Sequence, residues 1–398
     1  MIPDCKIQAK WVMPMDGPAI ENGVVEIADG QILAVHKLGT PSSDLTDLGE
    51  VTLIPGLVNA HTHLEFSNLR QPLGNRGMNF VDWIALVIGS RKNADPNDKV
   101  KAIKAGLAES ATHGVVAIGE IATEPLFENS YQSDLHVTTF FERLGIRREQ
   151  SNSAVDTCEQ FLACNESHSF EKAISPHAPY SVHPVLLDRL VELSCEHKLP
   201  IAMHLAETKD EILMLDKQQG KFVGLLESLG LWSDDIYPLG TQIMDLLKKL
   251  ARCPNSLIIH GNYLTDADIS FIASKRDSMS VVYCPRTHDY FEHAPYPLEK
   301  FLAAGINVAI GTDSRASNPD LNLFDELKLI KRKFPQLDTN SILKMGTASG
   351  AQALRIEKQF GMIRAGLSGM LSVIATSNPN ELLAEDSQCV SLQAFLNS

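Results

Sequence analysis

Apolar and polar positions follow two different rhythms along this chain, and the change of rhythm divides it into parts. From Lys6 to about Asp47 the apolar runs are short: Ile7–Val12, Gly23–Ile27 and Gln31–Val35. Asp16-Gly17 and Asp29-Gly30, which separate them, are hairpin-turn dipeptides, so this part reads as a small antiparallel β unit. Three strands alone bury too little surface to be stable. The far C-terminus offers partners in Gly361-Met362-Ile363 and in the run Gly369–Ile374. The two chain ends, residues 1–54 and 355–398, are therefore expected to form one small β-sandwich domain around a middle of residues 55–354.

In that middle, strand-like runs alternate with helical periodicity, the pattern of βα units around a parallel sheet. The first run, Val51 to Val58, continues into Asn59-Ala60-His61-Thr62-His63. Seven more follow: Val115–Ile118, Val137–Phe141, Ala173–Ser175, Ile201–Met203, Leu257–Ile259, Ser280–Tyr283 and Val308–Ile310. Helical stretches such as Lys99–His113, Pro184–Lys198, Thr208–Leu226 and Leu321–Phe334 lie between or after them. Eight strands, each followed by a helix, predict an α/β chain with a (β/α)8 TIM-like barrel. A doubly wound open sheet is the alternative, and no glycine-rich phosphate loop follows any strand to support it. The interval from Gly220 to Pro254 reads as an insertion, placed to act as a lid over the barrel mouth.

Composition narrows the class without naming a chemistry. Hydrophobic residues make up 44% and charged residues 21%, ordinary for a globular chain. A formal net charge of -14 argues against nucleic acid or an anionic membrane as partner. No apolar run approaches the length of a bilayer span, and Asp4 and Lys6 interrupt any signal-peptide pattern. The seven cysteines are scattered without CxxC spacing, which suits reduced thiols and a cytoplasmic location. A small-molecule substrate is the expected partner, with a homodimer as the expected assembly.

Barrel active sites lie at the carboxyl ends of strands, so the residues just after each run carry the chemistry. Alternate strand residues share a side, which makes His61 and His63 project together. The fourth strand ends in Pro176-His177, the fifth in His204-Leu205-Ala206-Glu207, the sixth in His260 and the eighth in Gly311-Thr312-Asp313-Ser314. Imidazoles with a carboxylate are the ligand types that zinc takes while keeping a position open for water. A carboxylic acid beside such a metal can relay protons to a ring nitrogen and a leaving amine. For Glu207 the competing reading is an acid in the first turn of the helix that follows.

The motifs PGLVNAHTH, HLAET and GTDSRASN together resemble the amidohydrolase superfamily, and most of all its mononuclear cytosine/adenosine-deaminase-related branch. The resemblance implies that His61, His63, His204 and Asp313 hold one divalent ion, zinc or else ferrous iron. It implies Glu207 as proton shuttle, His260 as the residue orienting the attacking water, and Asp313 as catalytic as well as ligating. Pro176-His177 stands where binuclear relatives carry a bridging lysine, which implies one ion, and His177 matches a substrate-contacting position. The stretch His61 to Ser67, with Trp83-Ile84, is similar to proteins that deaminate aminofutalosine, and Trp83 is a substrate-binding candidate. Where nucleoside deaminases of the branch carry an acid after the tryptophan segment, Val87–Arg91 has none; Asp82 and Glu65 are the nearby acids.

The implied activity is hydrolysis of a non-peptide carbon–nitrogen bond: a metal-dependent deaminase releasing ammonia from an aminopurine or purine-nucleoside-like heterocycle. A chlorohydrolase or amine-releasing hydrolase of the same branch is the alternative. A non-catalytic barrel scaffold is a third reading, and the retention of the whole ligand and shuttle set argues against it. Arg286 after the seventh strand, Arg143 after the third and Arg315 beside Asp313 are further candidates at the mouth. Guanidinium groups there predict a substrate with a negative group remote from its amino-bearing ring, the competing reading being that they pair with rim acids such as Glu142, Glu292, Asp289 and Asp320.

Overall fold

The computed structural model describes residues 4–37, 44–91, 96–124, 133–164, 170–233, 235–378 and 381–397. The amino-terminal strands are β1 (Cys5–Val12), β2 (Ile20–Ala28), β3 (Gln31–Lys37), β4 (Leu45–Asp47) and β5 (Thr52–Pro55). The barrel strands are β6 (Leu57–Thr62), β7 (Val115–Ala122), β8 (His136–Arg143), β9 (Glu171–Pro176), β10 (Ile201–Leu205), β11 (Ser256–His260), β12 (Met279–Tyr283) and β13 (Asn307–Ile310). β14 (Leu371–Ile374) and β15 (Cys389–Ser391) follow near the end of the chain.

Both chain ends meet in one seven-stranded sheet of order β15-β14-β5-β1-β2-β3, in which β4 also pairs with β1. β2 and β3 are joined by Asp29-Gly30, whose φ angles of 50° and 73° match a hairpin turn with both central residues left-handed. Asp16-Gly17, expected as a second tight turn, instead lies in a longer loop between β1 and β2. Gly361-Met362-Ile363 is no strand; it meets the N-terminal unit through the Ile363 amide, which donates to the Pro14 carbonyl at 3.1 Å. The strand that completes the sheet is β15, which the apolar pattern did not single out.

The run Val51–Val58, expected as a single strand, is split at Gly56 between the two sheets. A Cβ at Gly56 would lie 2.2 Å from a Val116 methyl and 2.8 Å from the Met370 carbonyl, so only glycine lets the chain pass from β5 to β6. β6 to β13 form a parallel eight-stranded sheet in sequence order, and a parallel bridge between Thr62 and Asp313 joins its two edges. The seam is fixed by Asn59, whose side chain donates to Thr312 Oγ1 at 2.8 Å and accepts from the Thr312 amide at 3.1 Å.

Small and branched side chains fill the barrel interior, among them Ala60, Ala117, Ala173, Ala202, Leu257, Val282 and Ala309. Helix Ala348–Leu354 closes the amino ends of the strands: Asn255 and Asn307, at the starts of β11 and β13, donate to the Ala353 and Ser349 carbonyls. The interior is thus packed below, and only the carboxyl ends of the strands are left to form a site. The expected helix Thr208–Leu226 is two helices, Lys209–Lys217 and Lys221–Ser228, because Gln218 turns left-handed and Gly220 follows at φ 96°. Among the described residues no helix is long and apolar enough to cross a membrane.

Candidate metal centre and substrate cavity

At the carboxyl mouth the structure brings His61, His63, His204, His260, Glu207 and Asp313 together, all buried. His61 lies within β6 and His63 just beyond it, so the strand's alternation turns both imidazoles the same way. Asp313 Oδ1 lies 3.7 Å from His61 Nε2 and 3.6 Å from His63 Nε2. His63 Nε2 and His204 Nε2 are 3.3 Å apart. Seating Asp313 against His61 requires Gly311, where a Cβ would come within 2.7 Å of the His61 carbonyl.

Three residues that end these strands, Ala206, His260 and Asp313, have φ of 53°, 68° and 56°. Left-handed backbone at non-glycine residues is costly and persists where the surroundings over-determine it. Here they do: the Asp313 amide donates to the His61 carbonyl at 3.0 Å, and the Tyr296 hydroxyl donates to the His260 carbonyl at 2.9 Å. Ala206 is held by Glu211, whose fully buried carboxylate accepts from the Ala206 amide at 2.7 Å and the Glu207 amide at 2.9 Å. Glu207 itself precedes the helix; Thr208 is the N-cap, and Asp210 and Glu211 are the acids of the first turn. The helix-terminus role expected as the alternative for Glu207 is thus filled by Asp210 and Glu211.

The donor set fits a divalent cation. Both ring nitrogens of His61 and Nδ1 of His63 are buried without hydrogen-bond partners, a cost that an ion among them would offset. His204 Nδ1 donates to the His177 carbonyl at 2.9 Å, which turns Nε2 toward His63 with its lone pair free. Burial pushes the His63, His204 and His260 imidazoles well below their ordinary range, so all are neutral and able to ligate. Burial also acts on Asp313, but the neighbouring His61, His260 and His63 rings hold its carboxyl below the usual range. His61–His63–Asp313 and His61–His204–His260 each place their ligand atoms within 4.8 Å of one another.

Glu207 behaves oppositely. Burial, reinforced by the charges of Asp313 and Glu211, raises its carboxyl well above the ordinary value, so it keeps a proton. Its Oε1 is 3.4 Å from His260 Nε2, at the edge of the ligand cluster and open to the cavity. His177 is one residue past β9. Its Nδ1 is 2.6 Å from Ser181 Oγ, and burial with the nearby Arg91 charge pushes it down to about 3.

Above the cluster is a cavity of about 320 Å³. Phe80 and Trp83 line it from helix Phe80–Arg91; the Trp83 indole donates to the Ala316 carbonyl at 3.1 Å. Phe222, Leu225 and Leu226 line it from helix Lys221–Ser228, as do Leu229 and Leu231 beyond it. The front of the expected insertion is therefore a wall of the cavity. Its rear, helix Ile243–Leu250, is an ordinary barrel helix, and Asp234 between them lies outside the described residues.

The expected arginine clamp is not at this cavity. Arg286 turns away from the mouth: its Nε donates to Glu326 Oε1 at 2.8 Å and its Nη2 to Asp320 Oδ1 at 2.7 Å. Arg315 forms a forked pair with Glu109 at 2.8 and 3.1 Å. Arg143 stacks over the Phe141 ring at 4.2 Å and does not line the cavity. The expectation failed because strand-end position sets where a backbone emerges, while buried acids decided where each long side chain went. The guanidinium that does line the cavity is Arg91, paired with Glu65 at 2.5 Å and lying 5.0 Å from the Phe66 ring centre.

Three supporting acids escaped the strand-end reading. Glu120 in β7 is fully buried and accepts from the Leu64 amide, fixing the turn after His63. Glu142 in β8 is buried 3.8 Å from His177 Nε2, and its burial, against the pull of Arg91, pushes it up to about 7. An acid inside an apolar strand run was the available signal for both, and Thr208-Lys209-Asp210-Glu211 spells a capping box for Glu211.

The profile of the Amidohydrolase family matches residues 52–394. A 5-methylthioadenosine/S-adenosylhomocysteine deaminase of Thermococcus sibiricus is 28% identical, over 94% of this chain and 86% of its own. One from Moorella thermoacetica is 25% identical, over 97% and 88%. Among solved structures, Helicobacter pylori aminofutalosine deaminase in complex with methylthio-coformycin aligns with a TM-score of 0.83 at 21% identity, over 99% of this chain and 96% of that one. A Xanthomonas campestris adenosine deaminase with bound zinc aligns with a TM-score of 0.73 at 21% identity, over 96% and 89%. At such identities the solved structures speak for the fold, and the profile match across the barrel decides the family: this chain belongs to the amidohydrolase family.

Proposed function

We propose that this protein is a metal-dependent hydrolytic deaminase that releases ammonia from an amino-substituted nitrogen heterocycle of the purine-nucleoside type. The observation that carries the reading is the gathering of four buried imidazoles, those of His63, His204 and His260 neutral, around an ionised Asp313 with a protonated Glu207 beside them in a mostly apolar cavity. His61, His63, His204 and Asp313 would hold one ion, with zinc preferred by this nitrogen and oxygen set. When bound, the ion supplies Lewis acidity and lowers the pKa of water toward neutrality. The names of the related deaminases and their structural neighbours support the same class of substrate.

The chain's own residues divide the remaining work. Glu207 carries its proton at Oε1 or Oε2, facing the cavity, and can pass it to the ring nitrogen as the amino-bearing carbon becomes tetrahedral. A second proton relayed by the same carboxyl lets the amine leave as ammonia. His260, 3.4 Å from Glu207, accepts from and orients the attacking water. His177 and Trp83 meet the heterocycle from the cavity wall, and the surrounding apolar side chains exclude bulk water. The decisive experiment measures metal content and product on the same preparation. One ion per chain with ammonia release from aminopurines or their nucleosides supports the reading. Release of chloride from halogenated analogues, without ammonia, would replace it with the chlorohydrolase alternative.

A further inference from the structure

We infer that the substrate's remote substituent is neutral and apolar, an alkyl, alkylthio or aryl arm, and that the cavity disfavours one ending in carboxylate or phosphate. This deepens the deaminase reading and rests on it. Ile88, Leu144, Ile146, Leu226, Leu229 and Leu231 line the cavity, with Gln150 and Ser181 as uncharged polar neighbours. Among its described lining residues the only acids are Glu207 and Asp313, both at the metal end, and the only cation is Arg91. Arg91 is not a free positive charge. Glu65 sits 2.5 Å from it; Lys99, 3.1 Å from the same carboxylate, is matched by Glu124 at 3.2 Å. Two cations thus face two acids. Of its donors, Nε is buried without a partner. That donor suits a hydroxyl or ring oxygen, not a desolvated anion.

Charge elsewhere does not make up the deficit. Arg286 and Arg315 are committed to Glu326, Asp320 and Glu109, Arg147 stands outside the lining and donates to the Gly230 carbonyl behind Leu229 and Leu231, and a chain of net charge -14 repels an anion at long range. An apolar arm, in contrast, gains from every methylene removed from water, about 4-fold in affinity per group.

The test uses the zinc-loaded enzyme with adenosine, 5′-methylthioadenosine, 5′-butylthioadenosine, S-adenosylhomocysteine and adenosine 5′-monophosphate. Ammonia release gives kcat/KM, and calorimetry on the metal-loaded Glu207→Gln variant gives Kd. Both should improve from adenosine through methylthio to butylthio, at least ~10-fold overall, and the two charged compounds should fall at least ~10-fold below the butylthio one. Equal or better performance of the charged compounds overturns the inference. Binding in the expected order without turnover overturns the deaminase reading and keeps the cavity assignment, whereas no binding by any compound overturns both. Leu229→Gln, at a half-exposed rim position, should reduce the butylthio preference; an unchanged preference would remove that wall from the subsite.

Discussion

The floor of the cavity and its wall are made by different means. At the floor, strands β6, β10, β11 and the turn after β13 deliver His61, His63, His204, His260 and Asp313 to one point, with Glu207 just beyond. Each is fixed by the barrel's own hydrogen bonds, by left-handed turns and by buried acids beneath. The wall comes from elements that follow the strands, and it is mostly apolar, with Arg91, Gln150, His177 and Ser181 as its polar side chains. The floor therefore tolerates little displacement, and the wall can change its shape without disturbing the chemistry. Substitutions should separate the two cleanly, by removing metal, removing proton transfer, or moving neither.

The largest effect is expected from His204→Ala. It leaves three of the four proposed ligands, and both metal content and turnover should be lost together. Elemental analysis showing full occupancy in that variant would break the floor assignment. Next comes Glu207→Gln, which preserves shape but cannot carry a proton. Metal content and melting temperature should stay near wild type while turnover falls by ~10²–10⁴. Near-normal turnover would transfer the shuttle role elsewhere.

Arg286→Ala is the control that lies outside both regions. Its guanidinium is mostly buried against the fully buried Glu326, so its loss strands a carboxylate in the interior. A stability loss of roughly 3–5 kcal/mol is expected from breaking such a pair. KM for neutral and anionic substrates should move by the same factor, or not at all. A selective rise for anionic substrates would restore the arginine to the cavity.

The same division explains what could be read from the sequence. The barrel strands and the histidines and aspartate gathered at their ends were legible because a parallel strand fixes which residues reach its carboxyl end, and because histidine and aspartate there have few structural uses. Val51–Val58 misled because apolar content cannot show that a glycine passes the chain between two sheets. The arginines misled for a related reason: a long side chain can reach any acid within its span, and Glu326, Asp320 and Glu109 come from distant parts of the chain. The wall was legible only in Trp83, His177 and the start of the Gly220–Pro254 interval. Phe222, Leu225 and Leu226 follow ordinary helical periodicity, and nothing local distinguishes a leucine facing a cavity from one facing the core.

The smallest effect tests how the floor is held from beneath. Glu211 accepts two backbone amides at the left-handed turn carrying Glu207, yet burial, working against those same hydrogen bonds, pushes its carboxyl up to about 7. A carboxyl raised in the folded state binds more protons there than when unfolded, so its contribution to stability falls as pH rises from about 4.5 to about 7. Glutamine at this position does not ionise and has no such dependence. The wild type's advantage over Glu211→Gln should therefore shrink between pH 5 and pH 8, by an amount on the order of 1–3 kcal/mol. Paired melting temperatures at the two pH values measure it. An advantage that grows with pH would mean that the two amides outweigh burial, so that Glu211 is a charged clamp at neutral pH. In either case the variant should retain metal but lose part of its turnover, because the turn carrying Glu207 then loses its two carboxylate bonds and keeps those of the Asn262 side chain to the Glu207 carbonyl and the Tyr263 amide to the Ala206 carbonyl.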